Sequence, residues 1–300
     1  MKTKEFYVVN SFGKKSFEGN PAAIFVDGNE INEKNMQAIA RQMNLVETVF
    51  IMESDNEKEY DFQLRYFTPI KEVPIAGHPT VAAFIALEDS GKIDISNRDK
   101  YIIKTKAGLK AIKLHKDNGK TIVMMESSKP VFYQEIIDSH KVAKVLGLDV
   151  DDLIEDLPVE PVHTGLGHVI VPVKSMDALM KVKRNIKELK ELCSGVNMSE
   201  AQVFTFETYD KISHIHTRNI CPRNGIEDPG CGIGNAAVSA YLLKNKYPNE
   251  GQIRLKAEQG TIVNMPCVIE TYTIRDESNH IRVLVGGTGI VMIKGECNIE

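Results

Sequence analysis

An internal repeat restricts how this chain folds more than any other feature of its sequence. Arg65 and Pro69 stand four apart in RYFTP, and Arg218 and Pro222 stand four apart in RNICP. Each pair is followed by a turn and then by a knot of small residues running into an Ala-rich segment. In one half the knot is Ala76-Gly77-His78-Pro79-Thr80-Val81-Ala82-Ala83, and in the other it is Cys231-Gly232-Ile233-Gly234-Asn235-Ala236-Ala237. Seventeen or eighteen residues upstream of each arginine lies a strand-like run, ETVF from Glu47 and AQVF from Ala201. Two copies of one β-rich unit account for this economically. The length of 300 residues agrees, since it exceeds the usual size of one domain.

Short runs rich in β-branched and aromatic residues dominate the first half: FYVVN, AAIFV, ETVFIM and DFQLRYF all predict strands. EKNMQAIARQM differs, because Met36, Ile39, Ala40 and Met43 recur at helical spacing and predict a helix with one buried stripe. A second helix is expected from near Thr80, with Gly91 as its C-terminal stop. YIIKTKAGLKAIKLH and GKTIVMMES pair as a hairpin, and the turn-forming SSKP at residues 127–130 places a domain boundary. The second half opens with a helix in HKVAKVLG, has strands at HVIVPV, AQVFTFET and KISHIHTRN, and reaches a small-residue helix from near Asn235.

Composition excludes several functions. The net charge of −4 comes from interspersed charges with no basic stretch, so nucleic acid is not an expected partner. No apolar run approaches the ~18 residues of a membrane span, and lysines interrupt what would be a signal core. The five cysteines form no C-x-x-C pair and no zinc-like spacing with histidine, so reduced thiols in a cytoplasmic protein are expected and no metal is implied.

The two knots suggest chemistry. A helix N-terminus carries unpaired N–H donors and partial positive charge, which favour a carboxylate, and glycine admits a close ligand. If the halves face each other, two such ends form a cleft for a small acid and for an enolate derived from it. Tight helix–sheet junctions without a ligand explain the same residues. GCGIG is not the dinucleotide fingerprint, because its third glycine comes one place early. Glu47 heads a strand of apolar residues, where a part-buried carboxylate could take and return a proton; a solvated strand edge is the alternative. His78 could relay a proton, donate to a substrate, or cap its helix. Asp228, before Pro229, could orient an amine or hydroxyl, or make an Asx turn.

With these residues in place, the chain resembles the phenazine-biosynthesis (PhzF-like) isomerases along nearly its whole length. The matching pieces, in order, are Asn20-Pro21-Ala22-Ala23, Glu47-Thr48-Val49-Phe50, Arg65 to Pro69, Ala76 to Thr80, Thr105 to Leu109, Thr164-Gly165-Leu166, Arg218 to Pro222, Gly225 to Pro229, Gln259-Gly260 and Gly286-Gly287. The resemblance implies the α+β fold shared with diaminopimelate epimerase: two pseudo-symmetric lobes, each a β-barrel-like sheet wrapped on a central helix. The lobes would cover residues 1–128 and 129–300, with the final strand able to return to the first. The resemblance also implies an isomerase that needs no metal and no organic cofactor, and a family in which dimers are frequent. The family's catalytic glutamate, histidine and aspartate fall on Glu47, His78 and Asp228. Asn20, Gly77, Pro79, Cys231, Gly232 and Ile233 would line the substrate, a small carboxylic or amino acid.

Two departures stand out. Ile233 replaces a hydroxyl residue of the family pattern, so the phenazine precursor itself is not implied as substrate. Cys231 resembles the second catalytic cysteine of diaminopimelate epimerase and proline racemases, but Ala76 stands where the first would be. The usual two-thiol racemase is thereby excluded, leaving one-base chemistry by Glu47, a Glu47/Cys231 pair acting as racemase or dehydratase, or a non-catalytic binding protein on the same scaffold.

Overall fold

The computed structural model describes residues 2–133, 137–222, 226–245, 247 and 251–299. The chain divides into two compact units, Met1–Glu126 with Gly286–Glu300, and Ser127–Val285. The fold is α+β and dominated by strands.

In the first unit, Asn20–Phe25 lies between antiparallel Lys2–Ser11 and parallel Glu47–Glu53, and Glu47–Glu53 pairs antiparallel with Phe62–Phe67. The closing strand Gly289–Ile299 returns to pair with Lys2–Ser11. The second unit repeats the order. Gly167–Pro172 lies between antiparallel Glu160–His163 and parallel Glu200–Thr205, which pairs antiparallel with Ile215–Ile220.

Each unit is built on one 13-residue helix, Gly77–Asp89 or Gly232–Lys244. Both begin three residues before the positions expected from the sequence, because the small-residue knots form the first helical turn rather than a loop ahead of it. His78 to Leu87 are all buried in the first, as are Gly232 and Gly234 to Leu243 in the second. A helix that is apolar on every face must be surrounded. Gly77–Asp89 touches Lys2–Ser11, Asn20–Phe25, Glu47–Glu53, Lys120–Glu126 and Gly289–Ile299; Gly232–Lys244 touches Glu160–His163, Gly167–Pro172, Glu200–Thr205, Gln252–Gln259 and Cys267–Arg275. Alanines let the helix approach these strands closely, while Phe84 and Leu87, fully buried, each contribute roughly 1.5–3 kcal/mol.

The opposite face of the same strands is also covered. Met36, Ile39 and Ala40 of helix Glu33–Met43 pack on Phe25, Phe50 and Phe67, as the helical spacing predicts. In the second unit, helices Ser139–Leu146 and Ile186–Gly195 bring Val142, Leu146, Leu189 and Leu192 to Val169, Val171 and Val203. Burial on two faces explains why AAIF and HVIVP are continuously apolar rather than alternating. Ile186–Gly195 and Met176–Lys181 lie outside the elements read from the sequence. YIIKTKAGLKAIKLH does not form one arm of a hairpin: the chain reverses at Gly108, with φ of 92°, so three strands run Lys100–Thr105, Gly108–Asp117 and Lys120–Glu126.

The repeated arginines clamp the turn that leads to each central helix. Arg65 donates Nε and Nη2 to the two carboxylate oxygens of Glu72 at 2.8 and 2.7 Å. Arg218 donates Nε and Nη2 to Glu227 at 3.0 and 2.9 Å, and its Nη1 donates to the carbonyls of Leu179 and Val182. Glu227 and Glu72 are about equally buried, 9% and 8% exposed, but Glu72 keeps an ion pair with Lys106, whereas removal of Arg218 also strands the carbonyls of Leu179 and Val182. Arg218→Ala is therefore expected to cost about 3–5 kcal/mol and Arg65→Ala about 1–3 kcal/mol in urea unfolding, with Arg218→Lys restoring only part of the loss.

Candidate active site

In the first unit, the parallel pairing of Asn20–Phe25 with Glu47–Glu53 sets Ala22 opposite Glu47. Glu47 thus sits at the strand end beside the start of the central helix. Its side chain is 14% exposed, and Oε2 lies 3.5 Å from His78 Nε2. It faces an imidazole rather than bulk water. His78 is the second helical residue and Pro79 the third, both buried. Pro79 has no N–H, so Gly77 and His78 supply the first free donors of the helix. No atom comes within 4 Å of where a side chain on Gly77 would begin, leaving room beside that backbone. Asn20 is fully buried at the start of its strand, opposite Ser11.

Burial drives the His78 pKa from 6.5 down to about 3, and a hydrogen bond to the Pro21 carbonyl only partly offsets this. The ring is therefore neutral at pH 7. With one ring proton committed to Pro21, the other nitrogen presents a lone pair toward Glu47. A carboxyl group and a neutral imidazole at this separation can share one proton, and small rotations of either side chain bring them into hydrogen-bond geometry.

The second unit builds its helix start from the same backbone contacts and different side chains. Ser11 Oγ donates to the carbonyl of His78 at 2.6 Å, and Thr164 Oγ1 donates to that of Ile233 at 3.0 Å. Thr80 Oγ1 donates to the Ala76 carbonyl, and Asn235 Nδ2 to the Cys231 carbonyl. Cys231 is the N-cap, and its Sγ accepts the Gly234 N–H at 3.3 Å. Gly232 is buried, whereas Ile233 is partly exposed. A Cβ on Gly234 would meet Gln202 Oε1 at 2.3 Å, so that glycine serves packing.

Asp228 makes an Asx turn, with Oδ1 accepting the Gly230 N–H at 2.9 Å. Its carbonyl accepts from Gln259 Nε2, and Gln259 Oε1 in turn accepts from Asn235 and Thr217. This network ties the Asp228 turn to the central helix of its own unit.

Strand register also identifies two residues that the sequence reading missed. Glu200 lies opposite His168 as Glu47 lies opposite Ala22, and Arg218 opposite Val203 as Arg65 lies opposite Phe50. Glu200, not Ala201, is therefore the counterpart of Glu47. Both glutamates stand eighteen residues before their arginine, a signal hidden by aligning ETVF with AQVF. Glu200 Oε2 lies 3.4 Å from His168 Nε2, which is 3.9 Å from Cys231 Sγ. These donor atoms lie within 4.8 Å of one another, and their contacts are those of a hydrogen-bonded cluster. Glu200 Oε2 also accepts from Asn219 Nδ2 at 3.0 Å. Two surface depressions on the first unit, one lined by Glu88, Lys116 and Thr288 and the other by Asp61, Arg98 and Tyr101, include neither Glu47 nor His78.

The phenazine biosynthesis-like protein family matches this chain over residues 9–295. The chain belongs to that PhzF-like family. An uncharacterized isomerase of Clostridium acetobutylicum is 33% identical over 297 residues, covering 97% of this chain and 96% of that protein. The trans-2,3-dihydro-3-hydroxyanthranilate isomerase of Pseudomonas fluorescens is 26% identical, covering 97% of this chain and 98% of that enzyme. The crystal structure of a PhzF-family phenazine biosynthesis protein of Bacillus anthracis superposes with a TM-score of 0.90 at 30% identity, covering all of both chains. A hydroxyproline epimerase of Agrobacterium vitis, at 11% identity, covers 98% of this chain and 92% of its own with a TM-score of 0.63. The PhzF-like chain thus has the diaminopimelate epimerase-like fold and belongs to a family of isomerases. None of its described helices is long and apolar enough to cross a membrane.

The neutral, buried His78 sets a pH dependence for folding. Its folded pKa of about 3 lies below the unfolded 6.5, so its contribution is fully present above pH 6.5 and is lost as pH falls toward 3. Urea unfolding of the wild type and of His78→Gln between pH 7 and 4 should give a stability difference that declines by up to about 1.4 kcal/mol per pH unit below 6.5. A difference independent of pH would show that the ring is not held neutral.

Proposed function

We propose that this PhzF-like chain is an isomerase that moves a proton on a small carboxylic or amino acid, with Glu47 as the general acid/base. The observation that carries this reading is the approach of Glu47 Oε2 to within 3.5 Å of His78 Nε2 at the start of a buried helix. Glu47 takes a proton from a carbon made acidic by a neighbouring carbonyl, carboxylate or double bond, and returns it to a second carbon or to the opposite face. His78, neutral because it is buried, accepts a hydrogen bond at Nε2 from the carboxyl of Glu47 once that carboxyl holds the proton, and so keeps the proton in place without itself gaining a charge. The Gly77 and His78 N–H groups stabilise the negative charge that develops on the substrate oxygen. No metal or organic cofactor enters these steps.

By family resemblance alone, Asp228 is assigned to the substrate's amine or hydroxyl, and the Gly232 N–H to its carboxylate. Ile233, where a hydroxyl would be, gives the substrate an apolar neighbour; Asn20, Pro79 and Cys231 complete the lining. The 26% identity to the trans-2,3-dihydro-3-hydroxyanthranilate isomerase supports a related reaction type and makes that compound a sensible first probe. A second reading, in which Cys231 also carries a proton, is favoured by the Gly234 N–H donated to its sulfur.

The test is hydrogen exchange in deuterated water across a panel of cyclic and acyclic hydroxy and amino acids, starting with that dihydroanthranilate, followed by mass spectrometry. Wild-type protein should incorporate deuterium into at least one of them, and Glu47→Gln should slow incorporation by about 10²–10⁴-fold while leaving binding nearly unchanged. Exchange by Glu47→Gln at the wild-type rate would refute the assignment.

A further inference from the structure

Cys231, His168 and Glu200 all belong to the second unit, and of the three only Cys231, as a lining residue, enters the Glu47 reading above. They come from three separate places in the chain: the strand Gly167–Pro172, the strand Glu200–Thr205 and the N-cap of the central helix. All three are buried, His168 completely. A histidine, a glutamate and a cysteine gathered inside a core cost stability unless their protons are shared.

We propose that Cys231, His168 and Glu200 form a second proton-transfer centre, in which His168 holds the Cys231 sulfur as a thiolate. Four observations carry this. First, the strand register makes Glu200 the counterpart of Glu47, and each of these glutamates lies about as far from an imidazole Nε2, 3.4 Å here and 3.5 Å there. Second, His168 Nδ1 sits 3.2 Å from the Leu166 carbonyl and so bears a proton, which leaves Nε2 to face both the carboxylate and the sulfur. Third, Asn219 donates to Glu200 Oε2, keeping that carboxylate an acceptor opposite Nε2 and favouring an imidazolium between the two anions. Fourth, the sulfur lies at the positive end of a 13-residue helix and accepts the Gly234 N–H. The other acids on this segment are engaged elsewhere, Asp228 with the Gly230 N–H and Glu227 with the Arg218 guanidinium.

The proton balance is simple. The Cys231 S–H bond breaks, its electron pair stays on sulfur, and a new N–H bond forms at His168 Nε2. The thiolate then accepts a proton from a carbon acid, or takes the imidazolium proton back and passes it on. Glu200 exchanges no proton; it positions and stabilises the imidazolium. The catalytic use of this centre rests on the proton-transfer reading above, but its protonation state does not.

The test therefore needs no substrate. The ultraviolet thiolate band of the wild type, minus that of Cys231→Ser, is measured from pH 5 to 9. A band equal to a single thiolate at pH 7 is expected. His168→Gln and Glu200→Gln should each lower it at pH 7 by about tenfold, with recovery only as pH approaches the ~8.5 of a free thiol. Glu200→Gln keeps the side-chain shape, so it decides the matter if His168→Gln fails to fold. A wild-type band that develops only near pH 8.5, or one unmoved by Glu200→Gln, overturns the proposal. So does an equimolar metal ion found by elemental analysis in the wild type and lost in Cys231→Ser. Glu47→Gln should retain the band, so failure of the Glu47 assignment and failure of this one give different results.

Discussion

Everything in each unit depends on the burial of an entire helix, not of one helical face. A strand-wrapped helix has no solvent side on which to place charge, so alanine, valine and leucine fill it and the polar groups move to its start. Low polarizability around that start also accounts for His78. Burial there outweighs the hydrogen bond to the Pro21 carbonyl and drives the proton off the ring.

The polar groups behind these helix starts act as rigid connectors. Arg218 joins its own turn, through Glu227, to the carbonyls that end helix Met176–Lys181, so one guanidinium satisfies acceptors from two segments. Glu258 does the same for residues 209–216. Burial alone would raise its pKa, but His216 and the N–H groups of Tyr209 and Asp210 outweigh that and hold it down to about 2. Such buried ion pairs add little net stability over apolar packing, yet each is costly to break, and that asymmetry favours one loop arrangement over its competitors.

The repeat made the two-unit plan legible, because the Arg-to-Pro spacing and the Ala-rich helices are short-range patterns written twice. Glu47, His78 and Asp228 were legible only through family resemblance; local chemistry left a solvated edge, a cap and an Asx turn equally open. For Asp228 the Asx turn is indeed present, and it coexists with any contact to substrate. His168 and Glu200 could not be read at all, since their significance arises from parallel strand register between residues 32 apart in the chain. A shift of one residue in aligning the halves hides Glu200 behind Ala201, and in a β-structure one residue reverses the face. The missed helix Ile186–Gly195 has a different cause. It covers one sheet face with three buried residues in ten, a sparse stripe among lysines and glutamates.

Comparing the two helix starts position by position separates scaffold from chemistry. The hydroxyl that bonds the second helical carbonyl is kept, as Ser11 and Thr164, and so is the side chain that reaches back to the N-cap carbonyl, as Thr80 and Asn235. The arginine clamps and the glutamate at the strand end are kept too. What changes is the side chain at the N-cap, Ala76 against Cys231, and at the second and third helical positions, His78 against Ile233 and Pro79 against Gly234. If these starts were only tight junctions, packing would constrain those positions as strongly as the rest, and a histidine would not stand where its twin has an isoleucine. The imidazole has not been lost from the second unit, however. It has moved from the helix to the neighbouring strand, at His168, and still meets the strand-end glutamate at nearly the same distance. Two copies of one scaffold have thus kept an acid beside an imidazole by different routes, which packing alone gives no reason to preserve.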